Sequence, residues 1–439
     1  MKTVLKNFRI VDEETDAAGS LVIENGTIIK VLNENDLLRE GNAAIIIDGS
    51  CLATGENLPV LMPAFVDLHA HFRDPGPAAK DAPLPSGTPL PSETPFPSET
   101  VESASLSAAA GGFGTVVCMA NTKPPTDTIE KITAVKSRAD ALGLIDLYPV
   151  LSLTKNMEGK ELSEITRLSP GGGLPLMISE DGKDLADSEL FLGAMKEAKR
   201  LGIPVSCHCD FGGDENNAVR RAIDLGKKAG CHIHIDHIST KETVETIRQA
   251  KKTAGTAGFK LTCEVMPHNL CLTKEDAVKL GEKTWGRVNP PLSSEEDRKA
   301  LIKALEDGTI DAIATDHAPH STQDKEGGAP GFSGFETAFS AVYTELFHCD
   351  KAHNDKNPET IGLKKLSSLM SASPARLLGL KLGRLLPGFK ADLVIIDAEA
   401  VWTVEPAAFK SRGKNSPFAG RRLCGKILMT LHSGRVVFG

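Results

Sequence analysis

Between residues 60 and 382, short apolar, β-branched segments alternate with helix-like ones. The spacing, about 30 to 40 residues, restricts the chain to parallel strands joined by crossover helices. Candidate strands are 65–68, 115–119, 147–151, 176–178, 204–207, 232–235, 260–265 and 311–314. Eight such units imply an α/β chain folded as a (β/α)8 TIM-like barrel. A doubly wound open sheet fits the periodicity nearly as well, and the polar residues at the strand ends are what favour closure. The flanks read differently. Strand-like stretches at 3–5, 20–23, 27–32 and 44–48, with a turn at Glu24-Asn25-Gly26, precede the middle, and 388–397, 425–431 and 436–437 follow it. The expectation is a small β-sandwich built from both termini, 1–59 and 383–439, around a barrel spanning 60–382.

Size and charge agree with two units and narrow the function. The chain has 439 residues, more than the ~250 to 300 at which one hydrophobic core stops growing. Fifty basic against 58 acidic residues give a net charge of -8. No basic block occurs, so neither nucleic acid nor an anionic membrane is an expected partner. The start, Met1-Lys2-Thr3-Val4-Leu5-Lys6, lacks the apolar core of a signal peptide, and no apolar run approaches the ~18 residues of a membrane span. A cytoplasmic location is expected. The nine cysteines form no Cys-x-x-Cys pair and read as reduced, mostly buried apolar residues.

One stretch is foreign to the rest. Residues 83–100 are three tandem hexapeptides, each opening Pro-x-Pro-Ser. Proline at alternate positions forbids helix and central strand, so an extended, mobile loop is expected. It follows the first barrel strand. A lid is one reading; a tolerated loop expansion is the simpler one, since surface insertions cost little stability.

The chemistry opens with Asp67-Leu68-His69-Ala70-His71-Phe72-Arg73. Residues two apart on a strand face the same way, so His69 and His71 can hold one metal ion together. Alone, His-x-His is a weak signal. Further along, Asp181, His208, His237 and Asp316 each end a strand of another βα unit, and barrel enzymes assemble their sites at this carboxyl-terminal rim. Four histidines and two carboxylates exceed one tetrahedral zinc with an open position, and suit two divalent ions ~3.5 to 4 Å apart.

With these motifs, and with Asn121-Thr122-Lys123-Pro124, Glu180-Asp181-Gly182, Val288-Asn289-Pro290-Pro291, Thr315-Asp316-His317-Ala318-Pro319-His320 and Gly413-Lys414-Asn415-Ser416, the chain resembles the type I dihydroorotases among the cyclic amidohydrolases. The similar stretches run nearly end to end. The resemblance implies that His69, His71 and Asp316 hold one zinc, that His208 and His237 hold the other, and that Asp181 bridges the two with a hydroxide. It implies that Arg73, Asn121 and His320 grip a substrate carboxylate, and that Asn289 lies against the ring. The implied reaction is the reversible cyclisation of N-carbamoyl-L-aspartate to L-dihydroorotate in pyrimidine biosynthesis, with Asp316 carrying the proton. A homodimer and an association with aspartate transcarbamoylase are the partners it suggests. The family often has His where Asn269 stands and Pro where Ala120 stands, which bears on the loops around the substrate.

Rival readings stand beside these. His234 is the alternative to His237, although strand alternation puts His232 and His234 on the opposite face. Alternation likewise turns Cys207 and Cys209 away from His208, and allows only one of Glu180 and Asp181 inward. Lys183 stands near the position where hydantoinases and allantoinases use a carboxylated lysine, but reads as a solvated turn residue. His268 and His317 read as packing or supporting groups. The rival activities are a hydantoinase or allantoinase and, in a different class, a silent partner of aspartate transcarbamoylase.

Overall fold

The computed structural model describes residues 2–33, 36, 45–52, 57–74, 99–255, 258–347 and 361–439. Strands β1 (Lys2–Val11), β2 (Asp16–Glu24), β3 (Thr27–Asn33), β4 (Ile45–Asp48) and β5 (Val60–Pro63) open the chain. Strands β6 (Phe65–Ala70), β7 (Phe113–Cys118), β8 (Asp146–Pro149), β9 (Leu151–Ser152), β10 (Ile178–Ser179), β11 (Val205–Cys207), β12 (His232–Ile235), β13 (Lys260–Val265) and β14 (Ala312–Ile313) form the middle. Strands β15 (Leu393–Thr403), β16 (Arg422–His432) and β17 (Arg435–Phe438) close it.

Both termini do build one β unit, hydrogen-bonded as a single mixed eight-stranded sheet in the order β17-β16-β15-β5-β1-β2-β3 with β4 also on β1. The reason is the length of β1. Its first half pairs with β4 and its second half with β5, so the sheet is not divided. Strand β5, assigned from the sequence to the middle segment, pairs with β15 and belongs to this sheet. The β2–β3 turn has Asn25 and Gly26 both at positive φ, as the twist of a tight hairpin demands.

The eight expected strand positions are all present in the middle segment, yet the ladder is not closed into a barrel. The parallel strands form two sheets, β6-β7-β8 and β14-β13-β12-β11-β10-β9. The third position is broken into β8 and β9 around Val150, whose N–H still reaches Cys118 O at 2.9 Å. Between the first and eighth positions one bridge, Ala70 with His317, stands where a ladder was expected. Strand β14 is only two residues long, and Asp67 takes over its pairing by accepting from Thr315 N at 2.9 Å and Thr315 Oγ1 at 2.5 Å.

Period-2 alternation along these strands separates two environments. Ile178, Val205, Cys207, Ile233, Ile235, Leu261, Cys263 and Val265 pack in one apolar cluster with helix residues such as Ala194, Ala222 and Ile247, each such burial stabilising by roughly 1.5–3 kcal/mol for the larger aliphatics. Ser179, Ser206, His234, Thr262 and Glu264 alternate with them and are buried too, so the opposite face is polar. The helices are bounded by local signals: Asp187 caps Ser188–Leu201 through Glu189 N and Leu190 N, and Gly202 ends it in the left-handed region.

Residues 83–98 of the hexapeptide run lie outside the described residues. Its last two members are built into the fold: Thr100 caps the helix Val101–Ala110 and Glu99 is fully buried. Cys349 also lies outside; the other eight cysteines are free thiols, six of them buried. Among the described residues, no helix is long and apolar enough to cross a membrane.

Candidate metal centre

The six metal-type residues expected from the sequence meet at the carboxyl ends of the parallel strands, none with a side chain more than 7% exposed. Asp181 lies at the middle. Its Oδ1 is 3.1 Å from His208 Nδ1, 3.4 Å from His69 Nε2 and 3.8 Å from His237 Nε2, and its Oδ2 is 3.5 Å from His71 Nε2. Asp316 Oδ1 lies 3.0 Å from His71 Nε2 and 3.8 Å from His69 Nε2. His237 Nε2 is 2.8 Å from His208 Nδ1. Among the described residues, His69 belongs to three trios with ligand atoms within 4.8 Å of one another: with Asp181 and His237, with His71 and Asp316, and with Asp236 and Glu264.

These groups suit a divalent metal ion. His69 Nε2 is buried, faces both carboxylates and has no hydrogen-bond partner, a cost that a bound cation removes. Burial alone would push Asp181 and Asp316 towards the neutral acid, but the surrounding imidazoles override it and hold both below the usual carboxylate range. Ionised carboxylates and imidazoles are donors that divalent transition metals accept.

A second tier of contacts orients the first. Glu264, on β13, lies 3.0 Å from His69 Nδ1 and 3.1 Å from His234 Nε2 through its two oxygens. Burial opposes its ionisation, yet the two histidines draw it down to about 2. A carboxylate behind a ligating imidazole fixes its tautomer and orientation. Sequence reasoning missed Glu264. The available signal was an acidic residue at an inward position of an apolar strand.

The rival residues are placed elsewhere. Glu180 points away from Asp181 and accepts from Thr154 N at 2.9 Å and from Thr154 Oγ1. Lys183 Nζ donates to Met157 O at 3.2 Å. Cys207 and Cys209 pack in the apolar core. His268 is buried beside Phe332, and that burial brings it down to about 4, so it is neutral at pH 7. One expectation is corrected. His234 is not on the face opposite His237; it faces the same interior, one layer below, against Glu264 and Thr262. His237 lies past the end of β12 at φ 33°, so strand alternation does not extend to it.

The expected carboxylate clamp is assembled in part. Arg73, at φ 60°, has a buried Nε without a partner, and its Nη2 lies 3.3 Å from His320 Nε2. Burial, aided by Arg73, brings His320 down to about 4. Its Nε2 is 2.8 Å from Pro330 O, to which the neutral ring donates. Asn121 spans the centre, Oδ1 2.9 Å from His71 Nδ1 and Nδ2 3.4 Å from Asp181 Oδ2. Asn289 stands apart, donating to Asp210 Oδ2 at 3.4 Å. The loop carrying His320 is held by Asn415, which accepts from His320 N and donates to Ala318 O and Gly331 O. Buried Lys325 donates to three carbonyls of the same region, Arg287, Ala329 and Gly331.

One further acidic cluster, Asp146, Asp392 and His432, lies at the opposite ends of the strands. The Lys390 ammonium already fills it, 2.5 Å from Asp146 Oδ2 and 3.0 Å from Asp392 Oδ2.

Residues 60–437 match the model of the amidohydrolase family. A dihydroorotase of Clostridium botulinum is 36% identical over 446 residues, covering all of both chains. Another from Thermoanaerobacter is 36% identical over all of this chain and 97% of its own, and one from Aquifex aeolicus 33% over 100% and 99%. Among solved structures, the L-hydantoinase of Arthrobacter aurescens superposes with a TM-score of 0.77 over 99% of this chain and 95% of its own, at 24% identity, a likeness of fold. The chain therefore belongs to the amidohydrolase family and, within it, to the dihydroorotases.

Proposed function

We propose that the chain interconverts L-dihydroorotate and N-carbamoyl-L-aspartate, as a cyclic amide hydrolase run in either direction. The observation that carries the choice of substrate is Arg73. Arg73 is partly buried beside the carboxylate cluster, with its Nε fully buried and without a partner. A buried cation is costly unless an anion meets it, and guanidinium matches a carboxylate with its planar fork. Dihydroorotate brings that carboxylate, whereas dihydrouracil and allantoin do not.

In this reading His69, His71 and Asp316 would hold one zinc ion and His208 and His237 a second, with Asp181 a donor available to both. Bound ions would lower the pKa of water and polarise the amide carbonyl. Arg73, Asn121 and His320 orient the substrate by its carboxylate, with Asn289 towards the ring. Asp316 takes a proton from the attacking water and delivers it to the ring nitrogen as the carbon–nitrogen bond breaks, leaving a new carboxylate on the product. Cyclisation retraces the same path. Glu264 and Asn121 hold His69 and His71 in the orientation the donors need.

We read the chain as two units, 1–59 with 383–439 and 60–382, with β5 (Val60–Pro63) paired into the terminal sheet, and the second unit as a (β/α)8 barrel whose last junction is made by the Ala70–His317 bridge and by Asp67 on Thr315. A homodimer and association with aspartate transcarbamoylase belong to the same proposal. The test is ring opening by purified, zinc-reconstituted protein of L-dihydroorotate, dihydrouracil and allantoin in parallel. Turnover of dihydroorotate alone is expected. Arg73→Met should lower its kcat/KM by about a hundredfold with zinc content unchanged. Turnover of only the uncharged rings would make the protein hydantoinase-like, and zinc binding with no turnover would make it a silent partner.

A further inference from the structure

One buried carboxylate near the centre has no part in the reaction so far described. Glu99 precedes the Thr100 cap of helix Val101–Ala110 and is 0% exposed. Its Oε1 accepts from Ser103 Oγ and from Arg412 N at 3.4 Å; its Oε2 accepts from Ser411 Oγ and lies 3.3 Å from His317 Nε2. On the other side of that ring, Nδ1 accepts from Gly334 N at 3.1 Å and Phe335 N at 3.4 Å. An imidazole that accepts at Nδ1 carries its single proton on Nε2, so His317 is neutral and donates to Glu99. The ring is clamped flat on Phe335, centroids 4.2 Å apart at 20°.

What this ring fixes is the backbone beneath it. His317 follows Asp316, which is held at φ 45°, a conformation that survives in a non-glycine residue only where its surroundings over-determine it. The His317 carbonyl accepts from His71 N at 2.8 Å, and its N–H donates to Thr315 Oγ1 at 2.9 Å. The one residue is thus joined to the loop of Asp316 and to the strand end of His71. A buried carboxylate is an expensive way to fill space, since an apolar side chain would pack there without desolvation. Four polar partners converging on Glu99 make it a fixed post, with the Ser411 and Arg412 segment brought in from the far end of the chain.

We propose that Glu99 is a positioning residue of the cyclic-amide reaction: through His317 it sets the backbone from which Asp316 and His71 project. This rests on the dihydroorotase reading, with Asp316 as the proton carrier. The experiment uses cobalt(II)-reconstituted full-length wild type, Glu99→Ala, Glu99→Gln, His317→Ala and the Glu99→Ala/His317→Ala double variant. Two quantities are read: the visible absorption of the bound cobalt, and kcat and KM for dihydroorotate.

Glu99→Ala and His317→Ala should each lower kcat by about 10- to 100-fold, with KM within about threefold, because a small misplacement of a reacting group costs that much. Both should shift the cobalt spectrum alike, and the double variant should be no worse than either single. Glu99→Gln keeps an acceptor for His317 Nε2–H and should recover most of kcat. If Glu99→Ala does not fold, His317→Ala and Glu99→Gln carry the same test. Variants that melt earlier but keep the wild-type kcat per cobalt and the wild-type spectrum would overturn the proposal, as would additive losses. An inactive wild type whose variants still shift the spectrum together would instead remove the dihydroorotase reading and leave the positioning intact.

Discussion

The terminal sheet and the rim of the parallel strands treat buried polarity in opposite ways. In the terminal sheet the core is apolar, with Leu5, Phe8, Ile10, Leu21, Ile23, Leu393 and Leu431 all buried. Its most buried carboxylate, Asp12, is fully used by Glu14 N, Thr15 N, Leu385 N and Arg384 Nε. At the rim, His69 Nε2 and Arg73 Nε are buried without partners, and Arg73, His237 and Asp316 hold positive φ. Positive φ occurs in both regions, in the terminal sheet at the β1 irregularity (Asn7) and the hairpin turns (Asn25, Ser433), but at the rim it coincides with buried nitrogens whose missing partners a ligand is to supply. The difference separates what keeps the chain folded from what makes it reactive.

If that separation holds, Asp316→Asn should produce the largest loss, about a thousandfold in kcat. Ring opening and ring closure should fall together, because one transition state serves both directions. Asn is nearly isosteric, so Tm should move little, and steady-state assays in both directions check it. Retained activity in either direction would end the role given to Asp316. Phe8→Ala probes the other side. Deleting a fully buried ring from the terminal sheet should cost about 3–5 kcal/mol of stability in denaturant unfolding. The kcat of the folded fraction at 25 °C should be unchanged; a parallel fall in zinc content would show that the two regions are coupled.

Glu264→Gln sharpens the boundary from within the rim. It keeps the shape between His69 and His234 but removes the charge that orients His69, so zinc affinity should weaken by about 10- to 100-fold. Competition with a chelator measures this, and unchanged affinity would make Glu264 a packing residue only. The smallest effect is expected at the other end of strand β12. Burial brings His232 down to about 3, and its Nε2 lies 2.9 Å from Thr262 Oγ1. Its folded pKa lies below the unfolded value of about 6.5, so between the two the unfolded chain binds more protons. The stabilisation from keeping His232 neutral is complete above about pH 6.5 and is lost as pH falls towards 3. His232→Gln should flatten this acid limb by on the order of 1 kcal/mol between pH 6.5 and 5, read as unfolding midpoint against pH. An unaltered limb would assign the acid sensitivity to other groups.

Much of the arrangement was legible in the residue order. Apolar β-branched runs placed all eight parallel strand positions, since each buries a face whatever its neighbours are. Alternation placed Cys207 and Cys209 in the outer core and turned Glu180 away from Asp181. The same rule failed for His237, because alternation belongs to laddered backbone and His237 lies beyond the last residue of β12 at φ 33°. Closure of the barrel was read too simply: β14 is two residues long and pairs with β13 only, and on its other side Asp67 bonds Thr315 in place of a ladder to β6. The hexapeptide run was taken as foreign throughout, yet its Glu99 is among the most buried carboxylates in the chain.

The sequence by itself determined the periodic core and the strand ends at which the clustered donors stand, because both are written as short-range patterns: period 2 along a strand, and a polar residue where an apolar run stops; the choice of Asp181 over Glu180 and of His237 over His234 came from the family resemblance. Only the tertiary structure decided which groups support those donors. Glu264 meets His69 across 195 positions and Glu99 meets His317 across 218, and Asn415 reaches back 95 to hold His320. Such contacts depend on how the sheets curve and where the terminal segment returns. They leave no local spacing to read, because a hydrogen bond is fixed by distance in space and not by distance along the chain.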